Sequence, residues 1–414
     1  MWHPSRGIIS AKFVAKSLPL PGKYPSRRMY PDLSYLFHDL FGSPVDNWTS
    51  IFKTFGLFLV LAILSAAVLL RHALKKMAEE GLFKPERIKI TIGKAPSWLE
   101  LAANAFWGFV LGFKGVYAFQ HFVELKNDAS DVLLSGKGNW LAGLGLAAAA
   151  AAYRYWQGKK EQLPQPKEVT KEIYPHDRIG DITMIAAISG VIGAKLFAVI
   201  EDIPALLRDP AGVLLSGGGL AIYGGLIVGF FAVSWYLRRR NIPIVPVLDA
   251  VAPALIIAYG VGRLGCHFSG DGDWGIVAAP QPGWWFLPDW FWAYDYPHNV
   301  IDEGLRLADC TSRYCMHLEN PVYPTSVYEF LAAMAIGSIL LALRKRLKTP
   351  GLLFFAYLMF NGFERFWIEK IRVNPKYTQF GVTYTQAEFI AVVLFLIGLG
   401  GFLYLYRNAK QKAR

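Results

Sequence analysis

The chain alternates long apolar runs with short, mostly basic connectors. Nine apolar runs stand out, at 51–70, 99–122, 140–155, 182–200, 214–237, 244–265, 327–343, 352–367 and 387–406. Each is near the roughly 20 residues that a helix needs to cross hydrocarbon. None has the strict alternation of a barrel strand, and in lipid only helices or closed barrels satisfy every backbone polar group. The pattern predicts an all-α, polytopic membrane bundle of about nine transmembrane helices. Lys53, at the entry to the first run, is expected to snorkel to the surface.

The connectors set an orientation. Those at 71–99, 154–178, 238–240, 344–348 and 407–414 carry 24 Lys and Arg, while those at 1–50, 123–137, 202–214, 267–325 and 365–378 carry 15. Cytoplasmic loops are the Lys/Arg-rich ones. The N-terminus and the long loop 267–325 are therefore expected outside, and the C-terminus in the cytoplasm. Trp284, Trp285, Trp290, Trp292, Tyr294 and Tyr296 in that loop suit the water–lipid boundary or the packing of a small extracytoplasmic unit. Residues 1–28 are basic and lack the apolar core of a secretory signal. Met29-Tyr30-Pro31-Asp32-Leu33 reads as a fresh start, so 1–28 is expected to be a start-site extension of the outer segment 1–50.

Composition agrees with the membrane class: 54% of the 414 residues are hydrophobic, 18% are charged, and the mean hydropathy is +0.30. The net charge of +12 does not argue for nucleic acid, because the basic residues cluster beside apolar runs. Cys310 and Cys315 lie five apart in the outer loop; they form a disulfide in an oxidising compartment or remain free thiols. With His317 they lack an evident fourth zinc ligand, and no metal or cofactor is expected.

Four polar constellations fall at or near the outer ends of the runs. Arg263 is followed by Asp271 and Asp273 in a glycine-dense stretch, Gly262 to Gly275. Gly217-Gly218-Gly219-Leu220-Ala221-Ile222-Tyr223-Gly224-Gly225 sits in the fifth run, where glycines let a helix or a lipid approach closely. Thr325 or Ser326 is expected to cap the seventh helix, which puts Glu329 one turn inside. Arg365, Glu369 and Arg372 are spaced to share a helix face. Guanidinium groups bind phosphate bidentately and stay charged, and unpaired charge near the membrane interior is costly. A phosphoester lipid is the ligand that this chemistry predicts.

These motifs, in this order, resemble the phosphatidylglycerol–prolipoprotein diacylglyceryl transferases, with this chain a divergent member. The family's Gly-Arg-x-Gly-Asn-Phe-x-Asn-x-Glu signature reads Gly262-Arg263-Leu264-Gly265-Cys266-His267-Phe268-Ser269-Gly270-Asp271 here, closed by Gly275. Leu248-Asp249-Ala250-Val251-Ala252-Pro253 is similar to its Leu-Asp-x-x-Ala-Pro. Tyr323-Pro324-Thr325-Ser326-Val327-Tyr328-Glu329 resembles His-Pro-Ser-Gln-Leu-Tyr-Glu. Asn361 to Arg372 resembles Tyr-x-x-x-Arg-Phe-x-x-Glu-x-x-Arg. Gly193-Ala194-Lys195, Gly218 to Gly225 and Thr385-Gln386 are similar to three further motifs, and the likeness covers about 30–70 and 180–405. The family's motif histidine is Tyr223 here, its signature asparagine is Cys266, its first-span tyrosine is Phe55, and another tyrosine is Asn361. The family usually has seven spans, so 73–178 looks like an inserted two-span segment within the membrane domain 51–414.

The resemblance implies an enzyme of the bacterial inner membrane that acts in lipoprotein biosynthesis. It would move a diacylglyceryl group from phosphatidylglycerol to the lipobox cysteine thiol of a preprolipoprotein signal peptide. Arg263 and Arg365 would bind the phosphate and stabilise its departure, with Glu369 and Asp271 orienting them and Tyr223 bonding to lipid or thiol. Cys266, Gly275, Arg372, Glu329, Phe55 and Gly224 would line the substrate. His267 is either a replacement base or a structural histidine. The other reading is a noncatalytic phospholipid-binding or lipid-transporting protein of the same fold.

Overall fold

A computed structural model describes residues 29–127, 132–133, 135–215, 221–379 and 381–412. The expected start-site extension 1–28 and Gly217 to Gly219 of the glycine-rich motif lie outside the described residues.

Nine helices of 18 or more residues occur among the described residues, one for each apolar run. They follow a short helix α1 (Leu33–Phe41) and are α2 (Thr54–Glu79), α3 (Trp98–Gln120), α4 (Trp140–Glu161), α5 (Ile179–Glu201), α6 (Ile222–Arg239), α7 (Ile244–Ser269), α8 (Thr325–Leu343), α9 (Leu352–Glu369) and α10 (Gln386–Lys412). Five of them, α2, α5, α7, α8 and α10, are long and apolar enough to cross a membrane. The protein is thus a predominantly helical membrane protein. Small ribbons depart from the all-α expectation: β1 (Glu86–Ile92) pairs antiparallel with β2 (Lys167–Ile173), β3 (Lys376–Gln379) with β4 (Val382–Thr385), and Leu305–Arg306 with Met316–His317.

Helix α7 is the centre of the bundle. Half of its apolar window is buried, against 22% for α2, 17% for α5 and 11% for α10. It packs against α2 and α8, and α9 also reaches it. Outward-facing apolar side chains on the peripheral helices, such as Leu59, Leu64 and Val68 of α2, carry no hydrophobic penalty where lipid is the solvent. One core joins Leu74, Ile182, Leu237 and Val247 from α2, α5, α6 and α7. Another joins Ile256, Ala333, Leu340 and Leu353 from α7, α8 and α9.

Asp249 locks two of these helices together. Its carboxylate accepts from the Gly351 and Phe354 amides at 2.6 and 2.8 Å. Those amides belong to the start of α9, whose N-cap position is Gly351 at φ 94° and offers no side-chain cap of its own. A helix start leaves orphan N–H groups, and here α7 supplies the acceptor. The α7–α9 register is fixed about four turns below the polar residues at their other ends.

Glycine sets the spacing of the α3–α4 pair. A Cβ at Gly112 would lie 2.2 Å from the Ala142 carbonyl oxygen, and one at Gly108 would lie 2.5 Å from that of Leu146. The Gly-x-x-x-Gly spacing lets the two backbones touch. Below them β1 and β2 zip the two ends of this segment together, with Glu86 opposite Ile173 and Ile92 opposite Lys167. The segment therefore leaves and re-enters the bundle at nearly one point.

Met29 is 3% exposed and packs in an aromatic cluster with Trp274, Tyr294 and Tyr296. The Tyr30 amide donates to the Phe268 carbonyl at 3.3 Å. Lys53 pairs with buried Asp32 at 3.1 Å rather than snorkelling, because Asp32 is wholly buried as the cap of α1 and needs a partner. Cys310 and Cys315 are joined in a disulfide.

Candidate functional site

Three of the four constellations meet where α7, α8 and α9 end against the loop after α7. Glu329 is the hub. It lies one turn inside α8 and is completely buried. Its carboxylate pairs with the Arg263 Nε, with Arg365 Nη1 at 3.1 Å and with Arg372 Nη1 at 2.9 Å. Two helices and the turn after α9 thus deliver three guanidiniums to one carboxylate on a third helix.

Two more carboxylates close the network. Asp273 pairs through one oxygen with Arg263 and through the other with Arg372. Glu369 pairs with Arg365 at 3.1 Å, one turn along α9. Three cations therefore face three anions. Burial raises the cost of ionising Asp273, but Arg263 and Arg372 outweigh it and hold its carboxyl below the usual range. Burial dominates at Asp271 and pushes its carboxyl up.

The network is not uniformly enclosed. The Arg263 and Arg372 side chains are 9% and 8% exposed, whereas Arg365 is 26% and Asp273 is 39% exposed. Arg365 and Asp273 are therefore the open side of the network, and Glu329 is fully enclosed. Tyr223, at the start of α6, lies within electrostatic reach of Arg365, Glu369 and Arg372.

The structure gathers Arg263, Arg365, Arg372, Glu329, Glu369 and Tyr223. It gives other predicted site residues different positions. Asp273, not Asp271, is the carboxylate on Arg263; Asp271 lies beside the Cys266 thiol, which is 3.5 Å from Arg263 Nη1. Arg372 does not continue the face of Arg365 and Glu369, because α9 stops at Glu369 and the chain turns before Arg372. Gly224 packs on α5, where a Cβ would meet the Gly193 carbonyl oxygen at 2.5 Å. Gly275 is a backbone crossing: its amide donates to Tyr323 at 2.9 Å, and a Cβ would meet the Ile371 carbonyl oxygen at 2.7 Å. The backbone of Phe55 lies against Gly265. The N-cap of α8 is Pro324, with no side-chain capping bond. Thr325 instead donates its hydroxyl to the Asp273 carbonyl at 3.3 Å, tying the loop to the helix start. His267 is held in the aromatic cluster, with Nδ1 3.2 Å from the Tyr296 hydroxyl.

Cys266, Asp271 and Asp273 bring ligand atoms within 4.8 Å of one another, a spacing that a metal ion could accept. Both Asp273 oxygens are already committed to arginines, so that set reads better as part of the ion-pair network. Sequence spacing could not identify Glu329 as the hub, because its three partners come from other segments.

The model of the prolipoprotein diacylglyceryl transferase family matches residues 141–404, more than half of the chain. A Corynebacterium glutamicum protein named phosphatidylglycerol–prolipoprotein diacylglyceryl transferase is 32% identical over 199 residues, covering 47% of this chain and 59% of that one. Relatives of the same name from Corynebacterium efficiens and Staphylococcus carnosus are each 30% identical over 238 residues, covering 56% and 57% of this chain and 70% and 77% of theirs. The chain spans about six tenths of the length of the Corynebacterium glutamicum relative. Residues 29–70, which build the floor under Gly265 and the outer cluster, lie outside the family match. The chain belongs to the prolipoprotein diacylglyceryl transferase family.

Proposed function

We propose that this protein transfers the diacylglyceryl group of phosphatidylglycerol to the lipobox cysteine thiol of a preprolipoprotein, the first step of bacterial lipoprotein maturation. The observation that carries the reading is the convergence of Arg263, Arg365 and Arg372 on buried Glu329, with Arg365 left partly open. The substrates follow the printed names of the relatives.

In this reading the phosphate of the lipid sits on Arg365 and Arg263. The thiolate sulfur is the nucleophile. It attacks the glyceryl carbon that bears the phosphate ester, a C–S bond forms, and the C–O bond breaks. The bonding pair leaves on the oxygen of glycerol phosphate, while the thiol proton passes to the aqueous side. Prepositioned guanidiniums stabilise the charge that gathers on the phosphate. Buried Glu329 and Glu369 keep the guanidiniums aimed before the substrate arrives, so little reorganisation accompanies the reaction. Tyr223 reaches the same space and hydrogen-bonds the lipid or the thiol.

The finer topology belongs to the same proposal. All nine long helices cross the bacterial inner membrane, with the N-terminus and the 267–325 loop outside and the C-terminus inside. The Lys/Arg bias supports this, and the Cys310–Cys315 disulfide fits an oxidising side. The 73–178 segment is then a two-span insertion closed by the β1–β2 ribbon.

A second reading is a noncatalytic phospholipid binder, favoured by Tyr223 at the position of the family's motif histidine. The deciding experiment offers purified protein phosphatidylglycerol and a lipobox peptide and reads the peptide mass. A diacylglyceryl gain that needs the peptide cysteine supports transfer. No gain, with phosphatidylglycerol still bound, supports the binder.

A further inference from the structure

Beneath the arginine network lies a second polar layer that the transfer reaction as described does not use. Glu364 precedes Arg365 on α9 and is 8% exposed. Neither of its carboxyl oxygens has a hydrogen-bond partner among the described residues. Tyr259 lies one turn before Arg263 on α7, on the same face. Its hydroxyl is likewise buried without a partner. Tyr259 lies within electrostatic reach of Glu364, Glu329, Arg263 and Arg365, and Tyr357, two turns before Glu364, also senses Glu364.

A buried polar group without a hydrogen-bond partner is destabilising, and a buried carboxylate more so. Charge balance does not explain Glu364, because Arg263, Arg365 and Arg372 are already matched by Glu329, Glu369 and Asp273. Packing does not explain it either, since the core that α9 shares with α7 and α8 is built from apolar side chains such as Ile256, Ile336 and Ala356. A ligand that brings hydroxyl groups would satisfy both the carboxyl and the phenol at once.

The offset suits such a ligand. One helical turn, about 5.4 Å, separates Tyr259 from Arg263. A two- or three-carbon polyol esterified to a phosphate extends over a similar length. With its phosphate on Arg365 and Arg263, a phosphodiester lipid can send its acyl-free substituent down into this layer.

We propose that Glu364 and Tyr259 form a hydroxyl-recognising subsite that takes the polyol headgroup of the phosphodiester lipid and so selects the donor. This rests on the transfer reading above and adds the groups that would distinguish a polyol headgroup from others.

The test compares phosphatidylglycerol with a phosphatidyl n-propyl ester, which keeps the three carbons and lacks both hydroxyls. Wild-type protein, Glu364→Leu and Glu364→Gln are each assayed with both donors and a lipobox peptide, and kcat/KM is taken for each. The wild type should prefer phosphatidylglycerol by about tenfold or more, as the loss of a hydrogen bond to a charged group implies. Glu364→Leu should bring that ratio close to one, and Glu364→Gln, which still hydrogen-bonds, should retain most of it. Equal slowing of both donors with the ratio intact would overturn the proposal and return Glu364 to a structural role. If wild-type protein transfers from neither donor, the transfer reading fails by itself. Binding of the two lipids to wild type and Glu364→Leu, read by native mass spectrometry, then gives the same ratio, and an unchanged ratio there would overturn the subsite.

Discussion

Replacing Glu329 by glutamine is the sharpest probe of the network. The substitution keeps the shape of the side chain and removes one charge from a wholly buried position. Each of the three arginines retains one other carboxylate: Asp273 for Arg263 and Arg372, and Glu369 for Arg365. The loss is therefore that of one broken buried pair, about 3–5 kcal/mol, rather than three times that value. Against a total stability of about 5–15 kcal/mol, this is a large fraction. Unfolding in mixed micelles titrated with SDS should show a midpoint far below that of the wild type. The arginines report on the same hub, so Glu329→Gln and Arg372→Gln should not add. Their double variant should be at least about 1 kcal/mol more stable than the sum of the singles. A Glu329→Gln protein within about 0.5 kcal/mol of wild type, or strict additivity with Arg372→Gln, would refute the hub.

Arg263→Ala and Arg365→Ala should each abolish diacylglyceryl transfer while the protein still inserts, checked by the peptide mass assay beside membrane fractionation. Asp249→Ala should cost about 1–2 kcal/mol through the uncapped start of α9, read in the same SDS titration; transfer should fall with it, because the Arg365 helix loses its anchor on the Arg263 helix. Asp273 carries the pH dependence. Its folded carboxyl is held below the usual range by Arg263 and Arg372, so its stabilisation is present above the unfolded value of about 3.9 and is lost as pH falls through the lower folded value. The stability difference between wild type and Asp273→Asn should therefore be full at neutral pH and shrink below about pH 4, and a pH-independent difference would count against the ion pairs.

Much was legible in the residues. Apolar runs located all nine long helices, because an apolar stretch of helical length has few other ways to bury its backbone polar groups. The boundaries shifted where local chemistry intervened: the first helix starts at Thr54 after the short Trp48–Ile51 helix, and the fifth starts at Ile222 after a separate short helix, Pro210–Leu215. Motif order pointed to the family, and residue chemistry singled out the arginines that the structure brings together on Glu329. The β1–β2 ribbon was not legible, since charged connectors with Arg87 facing Glu172 look like any basic loop until they pair.

By itself, then, the sequence determined what each segment is: which stretches must be helical, which connectors are basic, and which side chains are candidates for a phosphate site. Helical spacing also paired Arg365 with Glu369, a contact within one segment. Tertiary structure alone decided which charges meet. Glu329, Arg263, Arg372 and Asp273 belong to three helix ends and a loop, and their convergence depends on the α7–α9 register set by Asp249 and on the glycine crossing at Gly275. It also decided that Asp273 rather than Asp271 faces the arginines, a choice made by two residues of loop geometry. Local rules reach about one helical turn along the chain, whereas a buried ion-pair network is assembled from partners as much as 99 positions apart, Asp273 to Arg372.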